Sequence, residues 1–295
     1  MTVDAARTVV LCHPACVGGS LIYRYLVSSL GMAGVSEVGV GQLPYEAFRP
    51  LEPLYQWFLG GVIGRDDLES DFLDRVRRAR EIVDRQGKPF LIREHSHGLF
   101  FPDEPDAKAE PRNDPSWLAP RLEAEGLATV PRIFSYRHPL NSWLSLRSSF
   151  PIHAQGGFRR YCHQYLAMLD SVDAAESAGR PIYRLSYEDF LAATGAQLER
   201  MGQFLNLPVK QADAESAAAT FSTGNSGRAA TNVISPQPAR PAPPDLLDEA
   251  AGSGAYGELV QRLGYPRMPD DISVERPSLY QRVGRFWRRR RNSSA

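Results

Sequence analysis

Short apolar runs that end in turn residues alternate, along most of this chain, with longer stretches of helical periodicity. Residues 7–12 place Val9, Val10 and Leu11 in succession and stop at His13-Pro14, which predicts a short buried strand. Gly18-Gly19-Ser20 follows, and apolar residues at Ile22, Leu26 and Leu30 predict one helical face that closes near Gly31 and Gly34. Three further buried strands are predicted at 89–94, 130–136 and 181–185. Residues 66–85 predict an amphipathic helix, with Leu68, Phe72, Val76 and Val83 on one side and Asp66-Asp67 at the start, where they complement the helix dipole. Other helices are predicted at 140–149, 158–178, from Tyr187 onward, 194–205, 211–220 and 246–263, the last interrupted near Gly252 and Gly254. Residues 37–64, rich in aromatics, Gly and Pro, predict short helices and loops against a ligand or over the core. Residues 102–116, rich in Pro and acid, predict an exposed loop or lid, and five prolines between Ser235 and Asp245 predict an extended one. Strands that alternate with helices, with no internal repeat, predict an α/β fold: a central parallel sheet flanked by helices on both faces, with a nucleotide site at the strand C-termini.

Composition narrows the class. With 43% hydrophobic and 23% charged residues, the chain can bury a substantial core and is not a disordered polymer. No apolar run reaches the ~18–20 residues that span a bilayer, and the first run is too short for the core of a signal peptide, so a cytoplasmic protein is expected. Three cysteines are an odd number and make a disulfide framework improbable. The formal net charge of zero hides an asymmetry: residues 276–295 hold seven Arg and no acid, whereas residues 1–275 hold 27 basic and 34 acidic residues. The expected organisation is a domain over 1–275 and a basic tail over 276–295. A nucleic-acid partner is not expected, because the basic charge is not spread over a folded face. In the tail, Arg282, Arg285 and Arg288 to Arg291 surround Phe286 and Trp287, a pattern that suits either peripheral contact with anionic membrane or a solvated end.

Three segments carry candidate chemistry. In the first turn, Gly18, Gly19 and Ser20 would let backbone amides converge on an anion at a helix N-terminus, although Ser20 could equally be a helix cap. No Gly-Lys-Ser/Thr is present, which argues against a magnesium-dependent nucleoside triphosphatase. In the second, Arg137 ends a strand in Tyr136-Arg137-His138-Pro139, and Ser145 lies eight positions on, two turns into a helix; a guanidinium and a hydroxyl can share one phosphate there. In the third, Thr223-Gly224-Asn225-Ser226-Gly227-Arg228 sets small residues beside one Arg, a weaker anion-binding signal. No metal site is expected: His95 and His97 lack a third ligand, and Cys12, His13 and Cys16 lack a second pair.

In chain order these segments resemble the sulfotransferases, of the bacterial type, that use 3′-phosphoadenosine 5′-phosphosulfate (PAPS) and release adenosine 3′,5′-bisphosphate (PAP). The likeness runs over roughly residues 7–230. His13-Pro14 to Ser20 resembles the family's 5′-phosphosulfate loop, and Arg137-His138-Pro139 with Ser145 resembles its 3′-phosphate motif. Tyr187-Glu188-Asp189-Phe190 is similar to a segment whose Tyr lies near the adenine, and Gly227-Arg228 closes a loop similar to the late phosphate loop. Arg93-Glu94-His95 resembles Lys-Thr-His, so the resemblance implies His95 as catalytic base and His97 as a neighbour of the acceptor. It implies a P-loop-like nucleotide-binding fold, PAPS as donor without a metal, and an acceptor hydroxyl, on a carbohydrate if the bacterial relatives are a guide. One departure stands out. The family's loop carries Lys or Arg just after its Pro, whereas this chain reads Ala15-Cys16-Val17, which leaves Arg24, Arg147 or the helix amides to supply the charge. A kinase-like nucleotide enzyme and a non-catalytic nucleotide-binding module of the same fold are the rival readings.

Overall fold

In the computed structural model the central sheet comprises β1 (Thr8–Cys12), β2 (Ala33–Val38), β3 (Phe90–Glu94), β4 (Arg132–Tyr136) and β5 (Ile182–Ser186), all parallel and ordered β2-β3-β1-β4-β5. The structure describes residues 7–38, 61–101, 111–127, 129–154, 156–210, 214–220, 240–269 and 272–274. Four strands fall within two residues of their predicted bounds. The fifth, β2, lies where the end of the first helix and a loop are expected. Its sequence, Ala-Gly-Val-Ser-Glu-Val, alternates apolar and polar residues instead of forming a buried run, because among the described residues β2 is an edge strand that pairs with β3 alone.

Period-two alternation in β1 assigns its residues to opposite layers. Val9 and Leu11 face one core; Val10 and Cys12 face the other. The first layer is covered by α1 (Gly19–Ser29), and the second by α2 (Arg65–Arg85), α3 (Leu118–Ala124), α4 (Pro139–Ser149) and α5 (Gly157–Ser177). After β5, α6 (Tyr187–Ala192), α7 (Thr194–Leu205) and α8 (Ala214–Ala219) join the first layer, while α9 (Pro244–Gly252) and α10 (Gly254–Arg262) join the second. The predicted apolar stripe of α2, Leu68, Phe72, Val76 and Val83, is the stripe it buries. No helix among the described residues is long and apolar enough to cross a membrane.

The expected exposed loop over 102–116 needs correction at its C-terminal end. Asp114, Pro115 and Ser116 are buried. The reason is Arg132, fully buried at the start of β4, whose guanidinium needs carboxylates in the low-dielectric interior. Asp114 pairs with Arg132 at 2.8 Å and with Arg180 at 2.7 Å, and Glu123 of α3 is a further partner of Arg132. An acid-rich segment is therefore drawn inward by a charge on a strand that neighbours it only in space.

Candidate active site

Four of the motif segments come together because of strand order. α1 leaves β1 toward one face of the sheet and α4 leaves β4 toward the other, so the chain diverges between two adjacent strands, the topology at whose carboxyl ends open α/β sheets bind ligands. His95 follows β3, the His13–Gly18 turn follows β1, Arg137 follows β4 and Tyr187 follows β5. These are four consecutive strands in space, and at about 4.8 Å per strand they span about 14 Å, the scale of a nucleotide.

The turn after β1 is shaped for close backbone approach. Gly18 is the N-cap of α1 with φ +85°, and no side chain caps that end. Its carbonyl accepts from the amides of Leu21 and Ile22. A Cβ at Gly18 would collide with the ring of Tyr187, and one at Gly19 would lie 2.5 Å from Nε2 of His13. The two glycines thus permit ring contacts on both sides of the turn. Ser20 falls inside the first turn of α1, not at the cap, and Gly19 and Ser20 supply amides at the positive end of the helix dipole. Cys16 has φ +61° within the same turn.

Beneath this turn His13 and Arg93 meet, a contact between two motif segments that the motif reading did not foresee. His13 is 5% exposed; its Nδ1 lies 2.8 Å from the Pro14 carbonyl, and its backbone amide donates to Ser96 Oγ at 2.9 Å. Arg93, 3% exposed, donates from Nε to His13 Nε2 at 3.0 Å and from Nη1 to Ser36 Oγ at 2.9 Å. Burial, and then the positive charge of Arg93, hold the His13 pKa well below the ordinary imidazole range. The available signal was a charged pair, Arg93-Glu94, closing an otherwise apolar strand.

Arg137 sits over the face of Tyr187, 5.0 Å from its ring centroid, and its Nε is 3.8 Å from Glu188 Oε1. That Nε is buried and has no hydrogen-bond partner among the described residues. Glu188 is held from elsewhere: it accepts from the His138 amide at 3.3 Å and from the Tyr265 hydroxyl at 2.6 Å. His138 caps α4 by accepting from the Leu140 amide, and its Nε2 meets the Pro266 carbonyl at 3.0 Å. Trp143 is core, as its position on α4 predicts, while Ser145 on the same helix is partly exposed. Tyr187 is 4% exposed, clamped between Gly18 and Arg137. Gly227 and Arg228 lie outside the described residues.

At the end of β3, His95 and His97 are partly buried, with ring centroids 3.6 Å apart. The preceding Glu94 points into the second layer, where it accepts from the Trp117 amide at 2.8 Å and from the Ser116 hydroxyl. Burial raises its pKa to about 7. Among the described residues no group of three or more His, Cys, Asp or Glu is placed to hold a metal ion.

Comparison with solved structures gives the fold a reference. A sulfotransferase domain from the curacin biosynthetic pathway matches with a TM-score of 0.53, over 90% of this chain and all of its own, at 14% sequence identity. A sulfotransferase domain from the Synechococcus PCC 7002 olefin synthase gives 0.49 at 14% identity, covering 91% of this chain and 99% of that one. A sulfotransferase from Alicyclobacillus acidocaldarius gives 0.46 at 13% identity, over 90% and 98%. No family model and no curated protein matches the chain. The first of these likenesses establishes a sulfotransferase fold for the parallel sheet and its two helical layers.

Proposed function

We propose that this chain is a sulfotransferase that moves the sulfuryl group of PAPS to an acceptor hydroxyl. The observation that carries the reading is the line of motif residues along the carboxyl edge of β3-β1-β4-β5, with Arg137 Nε buried over Tyr187 and without a hydrogen-bond acceptor among the described residues. A buried guanidinium nitrogen without an acceptor costs of order 1–3 kcal/mol, and a phosphate oxygen would remove that cost. In this reading Arg137 and Ser145 hold the 3′-phosphate, with Gly227 and Arg228 completing the grip. Tyr187 lies against the adenine, and the amides of Gly18, Gly19 and Ser20 face the 5′-phosphosulfate.

Chemically, the acceptor oxygen attacks sulfur, the new S–O bond forms, and the bond from sulfur to the 5′-phosphate oxygen breaks, leaving PAP. His95 takes the acceptor's proton. Negative charge grows on the leaving phosphate as that bond stretches, and the dipole of α1 meets it. The acceptor class we assign, a hydroxyl of a carbohydrate, rests on family resemblance alone.

The test is a melting-temperature panel without Mg²⁺. PAP is expected to stabilise the chain more than ADP, ATP or AMP does, because only PAP fills both phosphate positions. Equal shifts for PAP and ADP would remove the basis for the reading. Arg137→Ala should weaken PAP by about 1.5–3 kcal/mol while changing AMP little. Equal loss of both ligands would point to a folding defect.

A further inference from the structure

Sulfuryl transfer leaves a phosphate whose charge grows as the S–O bond breaks, yet the loop nearest it, Ala15-Cys16-Val17, contributes no cation. Arg24 lies on the second turn of α1, and Arg147 is exposed on the last turn of α4. A third guanidinium lies directly under the loop. Arg93 is on the strand adjacent to β1, paired in register with Leu11, and its Nε is 3.0 Å from His13 Nε2.

The geometry settles the state of that imidazole. A guanidinium can only donate, so Nε2 of His13 is the acceptor, and the ring proton sits on Nδ1, where it is donated to the Pro14 carbonyl. The ring is therefore neutral and braces the loop backbone. The same Nε2 end of the ring lies against Gly19, the first residue of α1. One end of the imidazole thus joins the Arg93 charge to the helix end that faces the anion. Arg93 also acts on that ring through its charge, which after burial is the next cause of the lowered His13 pKa.

We infer that Arg93 supplies the missing cation of the 5′-phosphosulfate loop from beneath, through the neutral His13 ring, without touching the anion. It is a positioning residue with an electrostatic action. A unit charge several ångströms from an anion, at the effective dielectric of about 20 that suits a protein site, contributes about ten- to thirty-fold in affinity; in bulk water the effect would nearly vanish. The identity of the anion rests on the sulfotransferase reading.

The experiment compares, on the full chain, calorimetric affinities for PAP, adenosine 3′-monophosphate and AMP. The ratio of PAP to adenosine 3′-monophosphate measures the grip on the 5′-phosphate. Arg93→Gln should lower this ratio ten- to thirty-fold and leave adenosine 3′-monophosphate unchanged, and Arg93→Lys should restore most of it. Because Arg93→Gln could fail to fold, Ser36→Asp provides an independent route. It sets a carboxylate beside Arg93 Nη1, cancels the charge in place, and should produce the same selective loss. An unchanged ratio in Ser36→Asp, or an Arg93→Gln protein that loses both nucleotides equally, overturns the inference. A wild type indifferent to the 5′-phosphate also overturns it. A wild type indifferent to the 3′-phosphate, with PAP no better than AMP, overturns the sulfotransferase reading instead.

Discussion

His95 and His97 share a side-chain type and a neighbourhood, with rings 3.6 Å apart, so each controls for the other. If His95 takes the acceptor proton, His95→Ala should cut transfer by ~10²- to 10⁴-fold, the usual contribution of a placed base, with PAP affinity unchanged. His97→Ala should cost far less. Radiolabelled-donor assays of the two variants, read beside PAP titrations, decide the point, and a reversed order would move the base by two residues. The resemblance on which this assignment rests was legible in the sequence as Arg-Glu-His after an apolar run. The part played by the Arg of that triplet was not, because its partners His13 and Ser36 lie 80 and 57 residues away.

At the scale of elements, Glu94 fastens the carboxyl end of β3 to the start of α3 through the Ser116 hydroxyl and the Trp117 amide. Its folded pKa, raised by burial from 4.5 to about 7, means that the folded state holds a proton which the unfolded chain has released. Stability from this group is therefore full below pH 4.5 and is lost as pH rises toward 7, by about 3 kcal/mol in all. His13 works in the opposite sense: its lowered pKa costs stability as pH falls below 6.5. Comparing wild type with Glu94→Gln isolates the carboxyl. Denaturant melts should show little difference near pH 4, and Glu94→Gln should become the more stable protein by up to about 3 kcal/mol near pH 8. A constant gap across that range would mean that Glu94 does not titrate in the folded state. The same element shows how tertiary contact overrides local composition, since α3 and the buried Asp114 sit beside a stretch that reads as a polar loop.

For the molecule as a whole, the two cores on either side of the sheet account for the described residues, while the charge asymmetry belongs to a tail that lies outside them. If residues 276–295 dock on anionic membrane, truncation after Tyr280 should abolish co-sedimentation with anionic vesicles, and added salt should weaken the wild-type signal. Sedimentation with neutral vesicles alone, or none, would leave the tail a solvated end. The switch point between β1 and β4 is also a property of the whole: it exists only because α1 and α4 leave adjacent strands toward opposite layers.

What the sequence determined by itself was what neighbouring residues decide among themselves. Apolar runs set four strands, 3.6-residue periodicity set the helix faces, and Gly18-Gly19 and the Arg137 to Ser145 spacing marked two turns as candidates for anion binding, because backbone dihedrals and side-chain periodicity are local. Only the tertiary structure decided the edge strand β2, which is paired with β3. It also decided the inward turn of Asp114 toward Arg132, the hold of Tyr265 on Glu188 from 77 residues away, and the Arg93 charge under the first loop. Each of these is a polar or charged group whose cost of burial depends on a partner far along the chain, and that partner is specified only when the sheet closes.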